Sequence, residues 1–179
     1  MISPYNPDRV NAASYDVVIG DKIKIIRASS IRYKTVRVKA SAGISEFTEM
    51  RLVPIYDTFE FDDIDLSQGQ TEYLYQGDFS LTETDNFFHI PRNISAQFAL
   101  KSSRGREGYG HALAGFIDPK WHNSKLTLEM FNHNPSPIPI YKGLRIGQII
   151  FSRCDAQPIK AYDERGRYNN DNGVRESKG

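Results

Sequence analysis

Polar and apolar side chains alternate in short bursts along this chain. Runs at 16–26, 31–38, 51–56, 72–75, 87–90, 94–100, 125–131, 138–141 and 146–152 are apolar at every second position or as brief blocks, with turn-forming clusters between them. A period of two sends successive side chains to opposite faces of a sheet, so each run reads as a strand. Only residues 7–14 hint at a helix, and Asn11 weakens that reading. No repeat period or low-complexity linker appears. Many short strands with little helical pattern predict a mainly β domain, a sandwich or barrel rather than a βαβ architecture.

Within that pattern, residues 125–132 carry a carboxylate where the rest of the strand is largely apolar. Alternation puts Leu126, Leu128 and Met130 on one face and Lys125, Thr127, Glu129 and Phe131 on the other. Glu129 then shares a face with an aromatic ring. Burial there would raise its pKa toward neutrality, which suits a group that accepts a proton from water and hands it on. A solvent-facing glutamate on an edge strand would show the same period. Upstream, Lys101-Ser102-Ser103-Arg104-Gly105-Arg106 combines hydroxyl and cationic donors of the kind that grip phosphate. The alternative for that stretch is a solvated cationic turn after the strand at 94–100. Together the two segments point to a nucleotide held by its phosphates and attacked at its base.

Composition limits the other readings. The 179 residues, 39% of them hydrophobic, fit one domain with an ordinary core. The formal net charge of +1 gives no global attraction to nucleic acid or to an anionic membrane, so phosphate recognition must be local. A row of basic residues, Lys22, Lys24, Arg27, Arg32, Lys34, Arg37 and Lys39 around Tyr33, leaves a non-catalytic nucleotide sensor or single-strand binder as an alternative. Cys154 is the single cysteine, and residues 1–7 lack the apolar run of a signal peptide. A cytoplasmic location with no membrane partner is therefore expected. One cysteine, with neither H-x-E nor P-C-x-x-C present, gives no zinc-deaminase site. His89, His122 and His133 read as surface or packing residues, whereas His111 stays a candidate. Gly108, Gly110 and Gly115 read as turn glycines rather than a phosphate cradle.

Five blocks in order extend the picture. Asn11-Ala12-Ala13-Ser14-Tyr15-Asp16 to Gly20 is similar to N-P-A-S-x-D-x-x-x-G with Ala12 in place of proline, and Ser102 to Arg106 to S-S-x-x-R. His111 to Pro119, Thr127 to Asn132 and Pro137 to Phe151 follow H-x-x-A-G-[FW]-I-D-P, T-L-E-x-x-N and P-I-x-[IL]-x-x-G-x-[RK]-I-G-Q-[IL]-x-F. The series resembles the dCTP deaminase family, kin of the trimeric dUTPases, over nearly the whole chain. The resemblance implies a distorted β-barrel of the dUTPase-like (β-clip) type over residues 1–154, assembled as a homotrimer with active sites between subunits.

The same resemblance implies hydrolytic deamination of dCTP to dUTP and ammonia, with Glu129 as general base and acid and no zinc. Mg2+ would arrive with the triphosphate, which suits hard oxygen ligands. Ser102, Ser103 and Arg106 would grip the phosphates, flanked by Lys101 and Arg104. Asp118 would accept the 3′-hydroxyl, backbone groups of Thr127 and Leu128 would hold the base edge, and His111 matches a family histidine near the site. A bifunctional enzyme that continues to dUMP and pyrophosphate is the alternative within the family.

Residues 155–179 are polar, and composition alone predicts disorder there. Tyr162, then Arg167-Tyr168-Asn169-Asn170-Asp171-Asn172-Gly173, instead resembles the family's nucleotide-closing lid, with Arg167 for lysine and Asp171 where glutamine is common. Lys120 stands where glycine is frequent, and the spacing changes by one residue on either side of the presumed pocket. These departures bear on which cytosine nucleotide is preferred.

Overall fold

A computed structural model of the chain describes residues 1–42, 45–55 and 60–178, with the side chains of residues 30 and 40–47 left aside. Its strands are β1 (Ile2–Ser3), β2 (Tyr15–Ile26), β3 (Tyr33–Ala42), β4 (Ser45–Pro54), β5 (Asp62–Asp65), β6 (Thr71–Leu74), β7 (Phe79–His89), β8 (Ile94–Leu100), β9 (Tyr109–His111), β10 (Phe116–Ile117), β11 (His122–Asn132), β12 (Ile138–Tyr141) and β13 (Arg145–Arg153). Two short helices, α1 (Ser102–Arg106) and α2 (Tyr162–Arg165), complete the set.

The main sheet runs β10-β8-β13-β2-β7-β11-β9, with β1 added on β7 and β5 on β2. β2 is its hinge. Tyr15 to Val18 pair with β13, and Ile19 to Ile26 pair with β7 across a register shift between Ile19 and Ile23. Such an irregularity bends a strand and raises its twist. The sheet therefore curls into a distorted half-barrel around one core, with Val17, Ile19, Ile25, Phe88, Leu128 and Ile146 fully buried within it. Alternation of buried Ile23 and Ile25 with Lys22 and Lys24 is what allows β2 to face that core on one side.

The mainly β expectation holds, and 94–100 and 138–141 coincide with β8 and β12. Other expectations are corrected. Residues 7–14 form only a 3-10 turn at Pro7–Arg9, where the Asn6 side chain accepts from the Asp8 N–H. Val10 already bridges to Tyr15, so the chain turns back before a helix can propagate. The strand expected at 87–90 is the end of β7, whose earlier part is hidden in sequence because its buried positions are polar. Ser80, Thr82, Glu83, Thr84 and Asn86 are all buried there. Hydrogen bonds permit this: Thr84 donates to the Asn86 carbonyl at 3.0 Å and Asn86 to the Pro4 carbonyl at 2.6 Å. β5, read as Asp-Asp-Ile-Asp, looks like a loop until Lys24 pairs with Asp63 at 2.7 Å. Tyr56, at the end of the run 51–56, lies outside the described residues.

Of the three glycines read as turn residues, Gly108 alone has a positive φ, of 96°. Gly110 and Gly115 are needed for close approach, to Phe131 and His133 and to Phe98 respectively. The polar tail is not a loose end. Its backbone exchanges hydrogen bonds with the start of β11: Asn170 N–H to the His122 carbonyl, Lys125 N–H to the Asp171 carbonyl. Asp171, Gly173 and Val174 are buried against the body. Composition misses this because the tail is held by hydrogen bonds rather than apolar area.

Gly147 in β13 offers a test of the packing. A Cβ there would sit 2.1 Å from a Phe98 ring carbon and 2.8 Å from the Ala99 carbonyl oxygen. Gly147→Ala is expected to destabilise the fold by at least ~1–3 kcal/mol, read as a lower urea midpoint with an unchanged slope.

Candidate active site

β11 and β7 pair in antiparallel register, placing Glu129 opposite Leu81, Thr127 opposite Glu83 and Phe131 opposite Phe79. Directly opposed residues lie on one face of a sheet. That face is the floor of a cavity of about 700 Å³. The register shifts between Lys125 and Thr127, and at that bulge the Leu126 N–H is taken by the Thr84 hydroxyl at 3.0 Å. The consequence is that Lys125, Leu126 and Thr127 all reach the cavity, which strict alternation forbids. Lys125 is tied down by Glu83 at 2.7 Å, and its ammonium lies 5.5 Å from the Phe87 ring centre.

Glu129 projects into this space with its side chain 28% exposed. Burial pushes its pKa above the ordinary carboxylate value, partly offset by a hydrogen bond from its own backbone. No lysine or arginine among the described residues is paired with it. Its Oε2 lies 3.5 Å from His111 Nε2, and both atoms are buried without a hydrogen-bond partner among the described residues. His111 is 4% exposed at its side chain and burial depresses its pKa, so the ring is held neutral. Its Nδ1 accepts from the Leu113 N–H at 3.1 Å. The ring proton therefore belongs on Nε2, the ring nitrogen 3.5 Å from the glutamate oxygen. A carboxyl poised to take a proton, beside a fixed neutral donor in a dry corner, is the equipment of general acid–base chemistry.

The opposite wall comes from the turn between β10 and β11 and from the tail. Asp118 and Trp121 line it, and the indole N–H donates to the Tyr168 carbonyl at 2.9 Å. Tyr162, Tyr168 and Asp171 close the same side. Asp171 is held by Lys178 at 3.0 Å and Arg175 at 3.3 Å.

Of the candidate residues read from sequence, the structure gathers Glu129, Thr127, Asp118, Tyr162 and Asp171 around the cavity. Leu128 faces the other way and is fully buried in the core. Ser102, Ser103 and Arg106 are exposed on α1 and line no part of the cavity. Lys101 is bound to the buried Asp16 at 2.6 Å, and Arg104 to Glu107 and to the Arg145 carbonyl. Arg167 is exposed, its carbonyl taking the Lys178 ammonium. Leu81, Phe79 and Phe61 also line the cavity without having been singled out. For Leu81 and Phe79 the missing signal was the register of β7 against β11, since it depends on which strand lies beside β11.

No group of three or more His, Cys, Asp or Glu side chains among the described residues could hold a metal ion. No helix among them is long and apolar enough to cross a membrane. Several cations of the row 22–39 are already engaged: Lys24 with Asp63 and Glu176, Arg27 with Glu72 and Asp78.

A curled β domain with a half-buried carboxyl beside a neutral imidazole defines an acid–base class of site, and comparison with known proteins places it more closely. The family model described as dCTP deaminase-like matches residues 1–154, and the chain belongs to that family. A relative from Nanoarchaeum equitans, named dCTP deaminase, dUMP-forming, is 28% identical over 184 residues, covering 99% of this chain and 88% of that protein. One of the same name from Methanocaldococcus jannaschii is 31% identical over 176 residues, covering 92% and 80%. Among solved structures, the 2′-deoxycytidine 5′-triphosphate deaminase of Agrobacterium tumefaciens superposes with a TM-score of 0.56 at 26% identity, over 83% of this chain and 41% of that one.

The raised pKa of Glu129 predicts a stability signature. Folding then favours the protonated acid, so ionisation costs stability as pH rises above the ordinary glutamate value of about 4.3 and up through the raised folded value. Glu129→Gln should unfold at a higher urea concentration than wild type at neutral pH. The difference should vanish below about pH 4, where both states of the wild type are protonated.

Proposed function

We propose that the chain hydrolyses the 4-amino group of dCTP. The observation that carries this reading is the half-buried Glu129 with His111 Nε2 at 3.5 Å on the floor of a cavity of about 700 Å³, in a chain of the dCTP deaminase-like family. Water adds at C4 of the ring, Glu129 takes its proton and passes it to N3, and the amino group leaves as ammonia with the second proton. The neutral His111 donor orients Glu129 rather than competing for its proton. Asp118 accepts the 3′-hydroxyl, and Thr127 with the Leu128 backbone holds the base edge.

The phosphate ligands Ser102, Ser103 and Arg106 serve, in this reading, a cavity of a neighbouring copy in a homotrimer. Their exposure on α1, away from their own cavity, supports that arrangement. Mg2+ enters as part of the substrate, bound to the triphosphate. The tail from Asp155 onward acts as the lid, with Tyr162 and Asp171 against the sugar side. A second reaction, release of pyrophosphate to leave dUMP, is favoured by the names of the relatives from Nanoarchaeum equitans and Methanocaldococcus jannaschii.

Incubation with dCTP and Mg2+, followed by separation of products, tests these readings together. Ammonia with dUTP marks the single reaction, and ammonia with dUMP and pyrophosphate the double one. No ammonia would leave only nucleotide binding. Glu129→Gln should retain nucleotide binding and lose far more than tenfold in turnover; a loss of only tenfold, ~1.4 kcal/mol, would remove Glu129 from the base role. Arg106→Ala should weaken dCTP binding by about 10- to 150-fold, as expected for one charge-assisted phosphate contact, with deoxycytidine binding unchanged. Equal losses for both would show that Arg106 supports the fold instead.

A further inference from the structure

We propose that this cavity accepts a methyl group at C5 of the cytosine ring, making 5-methyl-dCTP a substrate at least as good as dCTP. The inference rests on the deaminase reading above and adds a substrate class to it. It follows from the order of groups along one strand face. Thr127 and Glu129 stand two residues apart on β11, about 7 Å, and their side chains share the cavity floor. The Thr127 hydroxyl oxygen takes the Arg175 N–H at 3.3 Å, which leaves its own proton free for an acceptor. In cytosine the acceptor edge, O2 and N3, lies on one side of C4 and C5 on the other. With C4 over Glu129 and the acceptor edge toward Thr127, C5 faces away from Thr127, toward the next step of the ladder.

That step is apolar. Leu81 sits directly opposite Glu129, and Phe79 opposite Phe131 one step further on. Both line the cavity, as does Phe61 from the segment before β5. Of the charged groups that line the cavity, Glu176 is already engaged by Lys24 at 3.0 Å, which also holds Asp63 at 2.7 Å. A methyl group at C5 would add apolar contact with these three side chains that a ring hydrogen lacks. The reaction is unchanged in kind: water adds at C4, ammonia leaves, and the product is the 5-methyluracil nucleotide.

The test compares kcat/KM for dCTP and 5-methyl-dCTP with the full chain and Mg2+. The expected ratio favours the methylated substrate by up to about fourfold, the factor that burying one methyl group supplies. Phe61→Ala should bring the ratio down to about one or below while dCTP turnover persists. Leu81→Phe should fill the corner and lower kcat/KM for 5-methyl-dCTP far more than for dCTP; if that variant fails to fold, Phe61→Ala carries the test. A wild-type kcat/KM for 5-methyl-dCTP below that for dCTP overturns this proposal and leaves the deaminase reading standing. Failure to deaminate either nucleotide overturns both.

Discussion

β7 and β11 run antiparallel from Lys125 against Phe87 to Phe131 against Phe79, and the position of every group on the cavity floor depends on that ladder. A slip of one residue would turn Glu129 into the core and Leu128 into the cavity. Two features hold the register. Leu128 and Met130 are fully buried on one face, and on the other the Lys125–Glu83 pair and the Thr84 hydroxyl clamp the bulge from β7. The rest is attached to these two strands: β1 and β2 to β7, β9 to β11, and the tail to the first residues of β11.

The same ladder separates two carboxylates by environment. Glu83 is buried with a cation at 2.7 Å and serves the architecture. Glu129 has, among the described residues, a neutral imidazole at 3.5 Å in place of a cation, and burial raises its pKa. Opposite environments for similar groups are how one fold assigns structural and chemical roles. His111 depends on its own neighbours in turn, since the Leu113 N–H fixes the tautomer and the Phe98 ring, 4.6 Å away, covers the imidazole.

Hydrogen bonding also explains the parts whose composition misleads. β7 buries five polar side chains and still lies within the main sheet, because Ser80, Thr84 and Asn86 donate to backbone carbonyls and Glu83 pairs with Lys125. The tail buries Asp171 because Lys178 and Arg175 neutralise it and its N–H finds the Ser124 hydroxyl. Hydrophobicity along the chain registers neither, since in both cases the partner lies more than 40 positions away or in a cluster that forms only on folding.

The sequence by itself determined the strand-rich architecture, the face of residues 125–131 that carries Glu129, and the ordered blocks that mark the family. Each of these is local: a period of two or a fixed spacing survives without knowing what lies alongside. Tertiary structure alone decided that Leu81 and Phe79 stand beside Glu129, that His111 Nε2 comes within 3.5 Å of it, and that Lys101 is spent on Asp16. It also decided that Ser102, Ser103 and Arg106 stay outside their own cavity. Those relations depend on which strands become neighbours and in which register, and that is set by the packing of the whole curled sheet rather than by any one segment.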